Sequence, residues 1–173
     1  DGIAGVRLEN LSFHYPDGEE MIFDNFSHDF KPGSRTAVIG ETGIGKSTLI
    51  KLLMSLLQAD SGKITLYDLK GDCAEASSRT RCNMVYVPQG NTLFSGSIRE
   101  NLLMGKPDAD ESQMREALHR AAADFVDRMP EGLDSQCFEA GGGLSEGQAQ
   151  RIAIARALLR PGSILLLDEF SSA

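Results

Sequence analysis

Two stretches of this chain place glycines and a hydroxyl residue directly before a helix-forming run, which is a composition suited to holding phosphate. The first, "GETGIGKST" at 40 to 48, matches the pattern GxxxxGK[ST]. Gly40, Gly43 and Gly45 let the backbone turn its amides inward without side-chain clash, while Glu41, Thr42 and Ile44 complete the loop. Lys46 neutralises β and γ phosphates, Ser47 offers a hydroxyl to magnesium, and Thr48 brings an amide or hydroxyl toward the α phosphate. The second stretch, "GGGLSEGQAQRIAIARALLR" at 141 to 160, has Ser145 in a capping position and Gln148 three residues later in the reciprocal one. Its helix start presents amides and a positive dipole to an anion. One chain thus carries two phosphate-seeking ends.

A pair of acids completes the chemistry. Asp168 and Glu169 follow the apolar run "SILLL", and ligands of open α/β sheets bind where strands end. Side chains alternate along a strand, so the two carboxylates diverge, one toward magnesium and the other toward an attacking water. The bland alternatives are a glycine-rich turn, a solvated acid pair and an ordinary capped helix.

The elements that must position these residues can be read from periodicity. Val6, Leu8, Leu11 and Phe13 mostly alternate, and "PDG" at 16 to 18 is a turn, so the chain starts as antiparallel β structure. "RTAVIG" reads as a strand into the first glycine loop, and "KSTLIKLLMSLLQ" as a buried helix with apolar residues nearly all round. "KITLYD" and "NMVYV" are further strands; "SILLLD" is continuously apolar, as a parallel strand covered on both faces would be. Between 97 and 122, Asp110 and Gln113 are spaced as a capping box, and Met114, Ala117, Leu118, Ala121 and Phe125 mark one face.

The chain has 173 residues, a formal charge of −8 and ordinary apolar content, which fits one domain and argues against a general affinity for nucleic acid or anionic membrane. Cys73, Cys82 and Cys137 are scattered, without the spacing of a disulfide framework or zinc site. No apolar run reaches the ~18 residues that span a bilayer, so the chain itself is expected to be soluble. Its first residue is Asp1 and its last residues are "DEFSSA"; both ends read as cuts in a longer polypeptide.

With "GETGIGKST", "VPQ" at 87 to 89, "LSEGQ" at 144 to 148 and "ILLLDE" at 164 to 169 in this order, the chain resembles the ATP-binding cassette (ABC) ATPases. "TLFSGSIRENLLMG" and "FEAGGGLSEGQ" are similar to the exporter branch. The resemblance implies an α/β fold: a P-loop NTPase (RecA-like) core with a mainly parallel sheet, an antiparallel N-terminal β subdomain and a helical insert. Within a single domain over 1–173 these are expected at 1–39 (antiparallel β), 40–88 with 161–173 (core) and about 90–160 (helical), the C-terminal part of the domain being absent.

It implies ATP and Mg2+ as ligands, a second cassette as head-to-tail partner, a transmembrane domain fused upstream, and a place for this chain at the cytoplasmic face of the membrane. In such a pair, Ser145, Gly147 and Gln148 of one cassette close over the ATP held by the other, which is why one chain needs two cradles. The resemblance also assigns Glu169 as base, Asp168, Ser47 and Gln89 to magnesium, Gln89 to the water and the membrane domain, Tyr15 to adenine, and Glu139 to the transmembrane coupling segments. Tyr15 shares a strand face with Leu11 and Phe13, so core packing is its alternative role; for Gln89 it is a solvated loop position.

Three departures stand out. Glu146 replaces a commoner glycine, Phe138 replaces the glycine before Glu139, and Ala149 stands where a polar or basic residue is common. The family's γ-phosphate histidine lies beyond the acidic strand end, whereas His14, His28 and His119 all lie upstream. Soluble ABC ATPases and a nucleotide-gated dimerisation module without turnover are the rival readings; a GTPase is disfavoured because no NKxD-type base reader occurs.

Overall fold

In the computed structural model, residues 4–18, 20–41, 43–90, 92–138 and 143–168 are described. Strand β1 (Ala4–His14) buries Val6, Leu8, Leu11 and Phe13, although the step from 8 to 11 breaks strict alternation. The cause is a register shift against both neighbouring strands, with Asn10 at a φ of 49°. One extra residue in a strand restores the inward phase for the positions beyond it. The Asn10 amide donates to Ser27 Oγ at 2.8 Å, and Gly62, at a φ of 89°, lies so close to the Asn10 carbonyl that a β-carbon there would collide with it.

Strands β2 (Met21–Phe30), β3 (Ser61–Asp68) and β4 (Cys73–Glu75) join β1 in an antiparallel sheet of order β2-β1-β3-β4. Helix α1 (Lys46–Leu53) contributes Leu49, Leu52 and Leu53 to the same core as Val6, Leu8, Leu11, Phe13, Ile64 and Leu66. It is shorter than its apolar sequence implies, ending at Leu53, and Leu56 beyond it is exposed. The chain turns at Ser55, with a φ of 52°, where Arg81 donates from Nε to the Met54 carbonyl at 2.8 Å and from Nη2 to that of Ser55 at 3.1 Å. A guanidinium satisfying the last carbonyls ends the helix there.

Strand β5 (Met84–Val87) pairs with β8 (Ile164–Leu167). Two expectations change at this point. Residues 35–40 belong to no strand, and Val38 and Ile39 are 50% and 91% exposed; a strand exists through its ladder to a neighbour, and none is formed by this segment. The β8 run is not covered on both faces either. Ile164 and Leu166 pack on the core while Leu165 and Leu167 are exposed, the alternation of a strand with one covered face. The antiparallel N-terminal sheet and the mixed α/β content agree with the expected fold, and among the described residues the core sheet is represented by the β5-β8 pair.

The chain divides into two compact units, residues 1–85 with 162–168 and, separately, 86–161. The second contains the ribbon β6 (Gly96–Ser97) and β7 (Gln136–Cys137), helices α2 (Ile98–Leu103), α3 (Glu111–Arg120) and α4 (Glu146–Leu159). All three helices start with reciprocal capping boxes: Ser97 with Glu100, Asp110 with Gln113, and Ser145 with Gln148. Met114, Ala117, Leu118 and Ala121 form the buried face of α3 as its periodicity predicts. Helix α4 buries Ile152, Ala153, Ile154, Ala155 and Ala157 and packs on α2 and α3. Its small side chains permit close approach, and Gly105 meets the Arg156 carbonyl so tightly that no β-carbon fits. Among the described residues, no helix is long and apolar enough to cross a membrane.

Candidate functional site

The first glycine loop is built by residues that only glycine conformation allows. Gly43 and Gly45 have φ of 91° and 108°, a region closed to most side chains. A β-carbon on Gly45 would come within 2.6 Å of Ile22, so the loop also lies tight against β2. Gly45 is the N-cap of α1 and offers no side-chain oxygen to the helix amides. Those donors are left for a ligand, and the helix dipole adds positive potential at the same end.

Lys46 reaches back over the loop, its Nζ donating to the carbonyls of Gly40 at 2.7 Å and Glu41 at 2.8 Å. Ser47 Oγ donates to Asp168 Oδ1 at 3.1 Å across 121 residues of sequence. Asp168 is buried at the end of β8. A hydroxyl and a carboxylate brought together in this way are hard oxygen donors of the kind that magnesium takes. Thr48 is buried, and its Oγ1 lies 2.9 Å from the Tyr15 hydroxyl. Tyr15 is half-buried against the core and meets Phe13 edge-on at 5.0 Å. The structure therefore brings Tyr15, Lys46, Ser47, Thr48 and Asp168 together around one loop. Thr42 and Glu169 lie outside the described residues, as does Glu139.

The other sequence-derived site residues belong to the second unit. Gln89 is exposed in the segment after β5. Ser145 caps α4 through Oγ, which accepts the Gln148 amide at 3.2 Å, while Gln148 Oε1 accepts the Ser145 amide at 2.9 Å. Accepting that bond leaves the serine hydroxyl hydrogen available for donation. Glu146 and Gly147 are exposed in the first turn, while Ala149 is fully buried. Arg151 braces this turn from below, donating from Nε to the Gly147 carbonyl at 3.1 Å and from Nη1 to that of Ala122 at 3.3 Å.

Sequence reading passes over several polar partners. Arg156, from the last turn of α4, donates through Nη2 to Thr92 O and Oγ1, each at 2.9 Å, and its guanidinium carbon lies 5.6 Å from the Phe94 ring centre. Burial, with Arg160 adding repulsion, lowers its pKa. His14 and Asp60 pair at 2.7 Å beside Tyr15. A concavity lined by Glu111, Arg115, Glu116, His119, Asp124 and Asp127 coincides with none of the motif residues; its walls are ion pairs, including Arg115 with Asp127 and His119 with Asp124.

Comparison with known proteins gives concordant results. A family model described as ABC transporter matches residues 23–172. The chain is 41% identical over 176 residues to y4gM, an uncharacterized ABC transporter ATP-binding protein of Sinorhizobium fredii, which aligns with all of this chain and 29% of that protein. It is 37% identical over 169 residues to the mycobactin import ATP-binding/permease protein IrtB of Mycolicibacterium thermoresistibile, covering 97% of this chain and 29% of IrtB. Among solved structures it is similar to a bacterial Atm1-family ABC exporter with ATP bound, with a TM-score of 0.82 and 35% identity over 98% of this chain and 29% of that one. The chain thus spans less than a third of the length of these relatives.

Proposed function

We propose that this chain, which belongs to the ABC transporter family, is the ATP-binding and ATP-hydrolysing motor of an exporter-type transporter. The observation that carries this reading is the Ser47–Asp168 hydrogen bond at the mouth of the glycine loop: it joins the hydroxyl that follows the phosphate lysine to a buried strand-end carboxylate. Gly40 through Thr48 would cradle the phosphates, with Lys46 turning from its loop carbonyls to the β and γ oxygens. Ser47 and Asp168, with Gln89, would hold Mg2+, which when bound supplies charge neutralisation at those oxygens. Tyr15 would present its ring to adenine. Glu169 is assigned as the base that orients the attacking water and accepts its proton.

Ser145, Gly147 and Gln148 would close over the nucleotide of a second cassette. A capped helix start serves this role because its remaining amides and dipole meet an anion that arrives from outside. Closure of the pair around ATP would then drive a membrane domain belonging to the longer polypeptide. The relatives named above include both an import protein and an exporter, so the direction of transport is a property of that membrane domain.

ATPase measurement on the intact protein tests the reading. Lys46→Ala should abolish nucleotide binding or turnover, since it removes the charge nearest the transferred phosphate. Glu169→Gln should reduce turnover by at least about 100-fold, the scale of a general base, and trap a closed ATP-bound pair. Parental hydrolysis by Glu169→Gln would exclude Glu169 as the base.

A further inference from the structure

The end of β1 is held by a compact brace. Asp60 Oδ2 accepts the His14 backbone amide at 2.8 Å and also lies 2.7 Å from His14 Nδ1, while the Asp60 amide donates to the Ser12 carbonyl at 2.9 Å. The turn leading into β3 therefore fixes the last residues of β1 from 46 to 48 positions away in sequence. Tyr15 comes next, outside the ladder, and is itself followed by a turn in which the Gly18 amide donates to the Tyr15 carbonyl at 2.9 Å. Its hydroxyl bonds to Thr48 at the far end, and its ring meets Phe13 edge-on and packs against the core. On the β1 side of Tyr15 the backbone is anchored by the His14 brace.

We propose that His14, acting through Asp60, is a positioning residue that orients Tyr15 as the platform for the nucleobase. The proposal rests on the reading of Tyr15 as the adenine-facing residue. A platform fixed before the ligand arrives loses less conformational freedom on binding than one ordered by the ligand. The His14 and Asp60 side chains are 45% and 39% exposed, and an exposed pair adds little to global stability. The consequence of losing it is therefore read at Tyr15 rather than in the melting temperature.

Among the described residues the charged group facing the imidazole is Asp60, from the turn into β3; across the ladder β2 places the apolar Met21. The His14 bonds hold the Asp60 carboxyl below its ordinary range, which keeps it an ionised acceptor for both the His14 backbone amide and the ring.

The test is KM for ATP and kcat of the intact protein, with melting temperature recorded, for the parent and for His14→Ala, His14→Asn and Tyr15→Ala. His14→Ala should raise KM about three- to tenfold with kcat and melting temperature nearly unchanged. His14→Asn, whose amide can donate where Nδ1 does, should restore KM. An unchanged KM in His14→Ala alongside a raised KM in Tyr15→Ala would overturn the brace while leaving the stacking role intact, as would a KM in His14→Asn as high as in His14→Ala. An unchanged KM in Tyr15→Ala would overturn the stacking role and the brace with it.

Discussion

The residue that departs most from its motif is Glu146. Its carboxylate is exposed in the first turn of α4, where it favours its own helix dipole yet would repel the γ phosphate of a partner's nucleotide. Glu146→Gly should therefore leave steady-state ATP hydrolysis by the intact protein unchanged or increase it; a large loss of rate would show that the carboxylate contributes to turnover. Local residue chemistry of this kind was readable from spacing alone, as with Ser145 and Gln148 three positions apart. Ser47 and Asp168 were also legible, but only because each sits in its own motif; nothing in the intervening sequence shows that they meet. His14 with Asp60 and Arg156 with Thr92 stayed hidden, since each contact is set by folding over 46 or 64 positions and neither residue stands in a pattern that declares its partner.

At the scale of elements, the helices of the second unit were legible because capping and periodicity are local. The elements that departed from expectation were those whose limits depend on distant neighbours. Helix α1 stops where Arg81 caps it, residues 35–40 lack a ladder, and β8 has one covered face. Close packing of α2 on α4 was invisible too, because Gly105 carries no side chain to reveal it. Gly105→Ala would drive a methyl group into the Arg156 carbonyl, and should destabilise the fold by about 1–3 kcal/mol, as overpacking does, seen as a lower denaturation midpoint with an unchanged m-value.

Helix α3 makes a pH-dependent prediction. The His119 Nδ1 to Asp124 Oδ1 contact of 2.8 Å joins its C-terminal end to the following 3-10 turn. Asp124 holds the imidazole pKa above its ordinary value of 6.5, and His119 holds the Asp124 carboxyl below its own. The histidine's contribution is fully present below its unfolded pKa and is lost as pH rises through the raised one. The aspartate's is present above its unfolded pKa and lost as pH falls through the lowered one. The side chains are 74% and 55% exposed, so the coupling is read by titration rather than by melting: an NMR titration should show the His119 imidazole pKa fall toward its ordinary value in Asp124→Asn. An unchanged His119 titration in that variant would mean that the carboxylate is not what raises it.

For the whole molecule, the central claim is that one γ phosphate is enclosed by the lysine loop of one cassette and the capped helix start of another. The four ordered motifs made the family legible in the sequence, and the chain spans less than a third of the length of its relatives. The acidic net charge of −8 means that attraction for ATP must be local, at glycine loops and helix ends, rather than a property of the overall field. The most direct measurement is the steady-state ATPase rate of the intact protein carrying Ser145→Arg, with equilibrium nucleotide binding determined on the same sample. Shared enclosure predicts that hydrolysis falls at least about tenfold, the scale of one lost transition-state contact, while binding at the Lys46 loop is retained. Hydrolysis at the parental rate by the Ser145→Arg protein would contradict it.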